Sequence, residues 1–502
     1  MTFAILAFAC APEAPVGPSG SVPEGLAPGV GAHPDILFVV LDTVRADALG
    51  AYGNPLPISP QFDSVAAAGV LYLDATSPAS WTWPAHASLF TGLYPWEHGA
   101  HFTPAGAADA LHPAEEKFSA SPMRTDVPTL AAQLSAAGYR TVAVATNHLL
   151  APELGLVRGF QSATVLPEDK DTLKAALAAL ADPDPRPLLL FVNFMGAHSP
   201  WTLADKPWVH AHDPVLLAAP TPAWLAPFVA DGFPFVHPYM QKGEGPSGGF
   251  RFMRGDLDVP EEGLDLFHDL YLGEVNLVDT ALAYLLRGWN ASGRGAGVVA
   301  VTSDHGDLLG ERRIIGHGRV VWPEVIHVPL ALVWPGHSTP GTRVTAPVQS
   351  QWVYGTILAA AGVAKGDVQL PLSDAGAPAG PIRAAEWRDD YWANDIGGPF
   401  LNSYRYYRQG TQAVIVGVDP AGLESVSLFD LDVDPGFLHD RSQEDPDSAR
   451  RLAAAAREAV PLTAGGGPLS VGATTADLLH QLGYTEGPGG GPSPSGQEKP
   501  GK

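Results

Sequence analysis

ILFVVLD, residues 36–42, is a run of apolar residues, three of them β-branched, that stops at an aspartate. A run apolar at every position is buried on both faces, which predicts a central parallel strand. The same pattern recurs in TVAVAT (141–146), PLLLFVNF (187–194) and GVVAVTSD (297–304), each reached through a helical stretch. Ser59 and Pro60 predict an N-cap and first helical position, and Gly69 closes a helix carrying Phe62, Val65 and Ala66. Thr129 to Ala137, with Gly138, predicts a second helix. The stretch from Leu264 to Trp289 keeps Phe267, Leu270, Val278, Leu282 and Leu285 near one face, so it should pack on the sheet. Strand and helix in alternation predict an α/β fold with a mainly parallel sheet flanked by helices. Beyond about residue 375, TQAVIVGV (411–418) and SVSLFDLDVDP (425–435) read as short antiparallel strands, and DSARRLAAAAREAV (447–460) as an amphipathic helix. These divisions predict a main α/β domain over 34–374 and a C-terminal α+β subdomain over 375–484.

At 502 residues the chain is long for one domain of ~150 residues. Its 29 Lys and Arg stand against 53 Asp and Glu, a formal charge of −24, which excludes an electrostatic footprint for nucleic acid or anionic lipid. An anionic substrate therefore needs a local positive centre such as a metal ion. The single cysteine, Cys10, excludes an intramolecular disulfide framework and a multi-cysteine zinc site. MTFAILAFAC (1–10) resembles the end of a bacterial lipoprotein signal, the alternative being an unstructured terminus with an incidental cysteine. Residues 11–33, rich in Pro, Gly, Ala and Ser, read as a disordered tether, and 485–502 as a disordered tail. Together these predict an exported protein of the cell envelope whose contact with membrane is a lipid anchor on Cys10.

In open α/β sheets, ligands bind past the carboxyl ends of the strands. Asp42 ends the first strand, Asp304 and His305 end the fourth, and His198 follows the third in NFMGAHSPW. Carboxylates with imidazole at one rim form a divalent-metal set that suits zinc or manganese better than an all-oxygen calcium cage. SPASWTWPAHASLFTG (77–92) supplies the nucleophile candidate: Pro84 marks a helix start and leaves Thr82 at its N-terminus, where backbone N–H groups favour an anion. From this segment alone a nucleophilic hydroxyl and a capping hydroxyl are equally compatible.

Three stretches in order, ILFVVLDTVRADALGAYG, SPQFDSVAAAGVLY and SWTWPAHASLFTGLYPWEHG, resemble the amino-terminal half of a sulfatase-family hydrolase of the alkaline-phosphatase-like superfamily. VNFMGAHSPW, SDHGDLLGERRIIGHGRVVWPEVIHVPLALVWPG and SLFDLDVDP continue the resemblance to about residue 440. It implies the family's α/β sandwich with a small antiparallel C-terminal sheet, and metal-dependent ester hydrolysis. By position it implies Asp42, Thr82, Asp304 and His305 as ligands of one divalent ion, Mn or Zn favoured and Ca allowed. It implies Thr82 as nucleophile, His198 and His317 as groups that protonate the leaving oxygen or touch the substrate's anionic group, and His86 as a further substrate contact. The departures are specific. Thr43 follows Asp42 where many sulfatases have a second aspartate, and the Cys-x-Pro-x-Arg signature reads Thr82-Trp83-Pro84-Ala85-His86.

Threonine cannot become formylglycine. A formylglycine hydrate expels sulfate by breaking its own carbon–oxygen bond, whereas a threonine sulfate ester has no such exit. A threonine phosphoester can be attacked by water at phosphorus, so the sequence predicts phosphoester or phosphonate ester hydrolysis through a Thr82 intermediate. The alternatives are a sulfuric ester hydrolase without formylglycine and a non-catalytic envelope binding protein on the same fold. The expected substrate is an anionic ester of a small molecule, glycan or lipid. The segment from Thr202 to Gly263, rich in Pro, Trp and Phe, reads either as a wall of the substrate pocket or as a surface lid.

Overall fold

Alternate residues of the first strand go to different cores: Ile36, Phe38 and Val40 to one, Leu37, Val39 and Leu41 to the other. A strand so placed needs helices on both sides of its sheet. The computed structural model describes residues 33–102, 117–118, 120–202, 221–229, 235–236, 247–363, 372–376, 380–389, 396–462 and 469–470. Cys10, the 1–10 signal, all but the last residue of the 11–33 tether, most of 203–246 and the 485–502 tail lie outside the described residues.

The large sheet is built from β1 (Ile36–Leu41), β2 (Val70–Tyr72), β3 (Arg140–Ala145), β4 (Ser162–Val165), β5 (Leu188–Phe194), β6 (Val298–Thr302), β7 (Leu330–Val333) and β8 (Thr342–Val344). Their order is β8-β2-β7-β6-β1-β5-β3-β4. β1 pairs parallel with β6 on one side and β5 on the other, in the registers Phe38 to Ala300 and Phe38 to Phe191. β7 alone runs against its neighbours β6 and β2. The central position of β1 brings the ends of β6, β1 and β5 side by side at one rim.

Helices α1 (Pro60–Ala68), α2 (Thr82–Thr91), α3 (Leu130–Ala136), α4 (Asp169–Ala181), α5 (Glu261–Ala291) and α6 (Val353–Ala360) flank this sheet. α5 is longer than its apolar stripe predicts. It buries Phe267, Leu270, Val278, Leu282 and Leu285 against one face. α2 is buried at every position and lies on the other face, where Phe90 meets Phe191 edge-on at 4.9 Å. Thr129 caps α3 by accepting from the Ala132 N–H. Ser59 does not cap α1: its hydroxyl accepts from the Gly50 N–H and donates to Asp63 instead. The α1 amides of Gln61 and Phe62 are met by the Asp279 carboxylate on α5.

Four further strands, β9 (Ile382–Glu386), β10 (Ser403–Gln409), β11 (Gln412–Val418) and β12 (Glu424–Asp430), form a small antiparallel sheet in sequential order. Helix α7 (Pro446–Ala459) covers one face through Leu452, Ala453 and Ala456. No described helix is long and apolar enough to cross a membrane.

Candidate active site

Two residues past β6, Asp304 lies beside Asp42, the residue that follows β1, because β1 and β6 are paired neighbours. His305 comes with it. Asp42, Asp304 and His305 are fully buried, and one ligating atom from each lies within 4.8 Å of the others. Thr82 opens α2 directly against them, its Oγ1 3.3 Å from His305 Nε2. The Nδ1 of His305 faces the Gly306 carbonyl at 2.9 Å, so Nδ1 carries the proton and the Nε2 lone pair points into the cluster.

The polar atoms of this cluster suit a cation. Asp42 Oδ1 and Asp304 Oδ2 are buried and accept no hydrogen bond. Two buried carboxylates side by side cannot both ionise cheaply. Burial, and then the neighbouring Asp304, push the Asp42 carboxyl well above the usual range. Burial also pushes Asp304 upward, but His305 and His86 outweigh it and hold that carboxyl at about 2. A divalent ion between the pair would satisfy both orphaned oxygens and ionise Asp42. Oxygen with one imidazole nitrogen is a zinc- or manganese-type donor set.

Around the cluster the backbone is held tightly. Thr43 has a left-handed φ of 59°, a strained state for a β-branched residue. Its N–H donates to Asp304 Oδ1 at 3.3 Å, its hydroxyl to the Asp42 carbonyl at 2.7 Å, and its carbonyl accepts from the Tyr271 hydroxyl at 2.9 Å. The Thr43 hydroxyl is thus turned back on the main chain.

His86, one turn along α2, donates from Nδ1 to the Thr82 carbonyl and lies 3.3 Å from Asp304 Oδ2. Its ring packs against Phe90 and Phe191, on the core side of Asp304. His198 and His317 stand on the other side. Their ring centres are 4.8 Å apart, and His317 is 4.4 Å from His305. His198 Nδ1 faces the Ser199 carbonyl at 2.6 Å and His317 Nδ1 faces Asp307 Oδ1 at 3.1 Å, which fixes both rings. Burial first, then His305, His198 and Arg319, hold His317 well below the ordinary imidazole range.

Three residues that the sequence does not single out complete the arrangement. Asn147, two residues past β3, and Asn193, inside β5, donate to Asp42 Oδ2 at 2.8 and 3.2 Å. Asp307 orients His317. Asn193 left a signal, being the polar residue in an otherwise apolar strand; Asn147 and Asp307 left none that distinguishes them from turn formers.

The family model described as Sulfatase matches residues 34–363. Among curated proteins, the chain is 21% identical to a Delta 4,5-hexuronate-2-O-sulfatase of Bacteroides thetaiotaomicron over 435 residues, covering 80% of this chain and 83% of that one. It is 23% identical to an ulvan-active sulfatase of Formosa agariphila over 65% of this chain, and spans 61% of that protein's length. Among solved structures, the phosphonate monoester hydrolase of Agrobacterium radiobacter superposes with a TM-score of 0.62 at 20% identity, over 88% of this chain and all of that one.

Proposed function

The chain belongs to the sulfatase family of ester hydrolases, and from that premise we propose that it hydrolyses phosphoesters or phosphonate esters, with Thr82 as a direct nucleophile. The observation that carries this reading is the place of Thr82: a threonine hydroxyl at the first position of a buried helix, its Oγ1 3.3 Å from His305 Nε2. Asp42, Asp304, His305 and Thr82 would hold one divalent ion of the zinc or manganese type. Such an ion supplies Lewis-acid polarisation and eases ionisation of a coordinated hydroxyl.

The chain's own residues then have separate tasks. Thr82 Oγ1 gives its proton to solvent and its electron pair to phosphorus. The ester oxygen leaves with the electrons of the broken P–O bond and takes a proton from His198 or His317. His317 is neutral at rest, and an anionic ester against the two rings favours its protonated form. Water then attacks phosphorus, the P–O bond to Thr82 breaks and Thr82 Oγ1 takes back a proton; a threonine sulfate ester would need the harder attack at sulfur. His86, from the core side, would steady Asp304 in place of touching substrate.

Thr82→Ala tests this reading. The variant should keep its metal through Asp42, Asp304 and His305 while losing nearly all turnover of a chromogenic phosphodiester or phosphonate monoester. Thr82→Ser should retain part of the rate. Mass spectrometry of active protein should show residues 80–86 unmodified. Sulfate esters turned over far faster than any phosphoester by protein with unmodified Thr82 would favour the second reading, sulfuric ester hydrolysis by assisted water attack.

A further inference from the structure

Asn147 donates to two atoms of the proposed machinery at once. Its Nδ2 lies 2.8 Å from Asp42 Oδ2 and 3.2 Å from Thr82 Oγ1, so each amide hydrogen has its own acceptor. The amide cannot be turned round without loss, because Oδ1 accepts the Leu149 N–H at 2.9 Å and caps the short helix after it. The backbone is pinned as well: the Asn147 N–H donates to Asn193 Oδ1 at 3.1 Å, and Asn193 Nδ2 reaches the same Asp42 oxygen. Asn147 and Asn193 are both fully buried.

We infer that Asn147 is a catalytic residue, a fixed N–H donor that stabilises the charge on Thr82 Oγ1 when that oxygen has lost its proton. The inference rests on Thr82 being the nucleophile. A donor aimed at a neutral hydroxyl makes an ordinary hydrogen bond. The same donor aimed at an oxyanion makes a charge-assisted one, about twice as strong, and being held beforehand it needs no reorganisation. The second amide hydrogen serves a different end, binding Asp42 Oδ2 and leaving Oδ1 for a cation. Loss of the amide should therefore have two separable effects, on metal affinity and on the nucleophile.

The experiment measures kcat, KM and bound metal for Asn147→Ala and Asn147→Asp at saturating Mn²⁺, with a p-nitrophenyl phosphonate monoester as substrate. Asn147→Asp keeps an acceptor for Leu149 and the side-chain shape while turning the donor into an acceptor, and the melting temperature of each variant controls for folding. Both variants should lose about 100-fold in kcat with metal at full occupancy. Unchanged kcat in either variant, or a loss no larger than the shortfall in bound metal, would overturn the inference. Thr82→Ala run in parallel separates the two levels. If it retains full activity, the nucleophile assignment itself fails; if it is inactive while Asn147→Ala is unimpaired, only the role of Asn147 fails.

Discussion

Asp42 and Asp304 are a pair of buried carboxylates, both without exposure, and their oxygens are stable together only with a proton or a cation between them. His305 Nε2 points into the same space, so the cation reading accounts for two observations together: the orphaned oxygens and the orientation of the imidazole. Asp304→Asn or His305→Ala should lower metal affinity at least about 10-fold and abolish most turnover. Elemental analysis and rate measurement on the purified variants check this, and full metal with full rate in either would remove the assignment. The clustering of Asp42, Thr82, Asp304 and His305 was legible because each follows a strand end or opens a helix, positions that an apolar run reveals. Asn147 and Asp307 were not. Each is an ordinary turn residue in sequence, and what marks it is a partner more than 60 residues away in the case of Asn147 and Thr82, or across a loop in the case of Asp307 and His317.

Elements were legible where burial decides them and obscure where a distant group does. β1, β3, β5 and β6 follow from their apolar runs, since no other packing buries such segments on two faces. The start of α1 shows the other case. Ser59 and Pro60 carry a local capping pattern, yet the amides of Gln61 and Phe62 are satisfied by Asp279 at 2.9 and 2.8 Å from across the interface with α5. A pattern search over a few residues cannot see that acceptor, and Ser59 is occupied with Gly50 and Asp63. Asp279→Ala should strand two amides and cost about 1–3 kcal/mol of stability. Asp279→Asn, which keeps one acceptor, should recover part of it. Denaturant midpoints of the two variants check the order, and an alanine variant as stable as the parent would mean that water or Ser59 takes over the cap. The edge strand β4 was also illegible in the sequence, because pairing at a sheet edge depends on neighbours and not on the strand's own residues.

At the scale of the whole molecule, the small C-terminal sheet is tied to the site by the residues that end β9. Glu386 Oε2 accepts from the Ser80 hydroxyl at 2.6 Å, two residues before Thr82. Asp389 pairs with Arg319, two residues after His317, at 3.1 Å and in full burial. The Gly318 N–H donates to the Ser80 carbonyl at 2.7 Å, which joins the two loops directly. The small sheet therefore clamps both segments that bear the proposed nucleophile and proton donor. Glu386 makes the clamp sensitive to pH, since burial pushes its carboxyl up to about 7 against the Ser80 hydrogen bonds and the charge of Arg319. An unfolded glutamate titrates near 4.3, so between that value and about 7 the folded chain keeps a proton that the unfolded chain has lost. Its contribution is complete below pH 4.3, falls through that window, and is gone above about pH 7, a change of roughly 4 kcal/mol. Glu386→Gln has no proton to lose and keeps a carbonyl oxygen for Ser80. The stability of the parent relative to Glu386→Gln should thus fall as pH rises from about 4.5 to 7.5 and be level beyond it. Thermal melts of both proteins across that range measure it. A difference that stays constant with pH would mean that Glu386 is ionised throughout, with Arg319 neutralising it, and that the clamp is an ion-pair network instead of a neutral hydrogen bond.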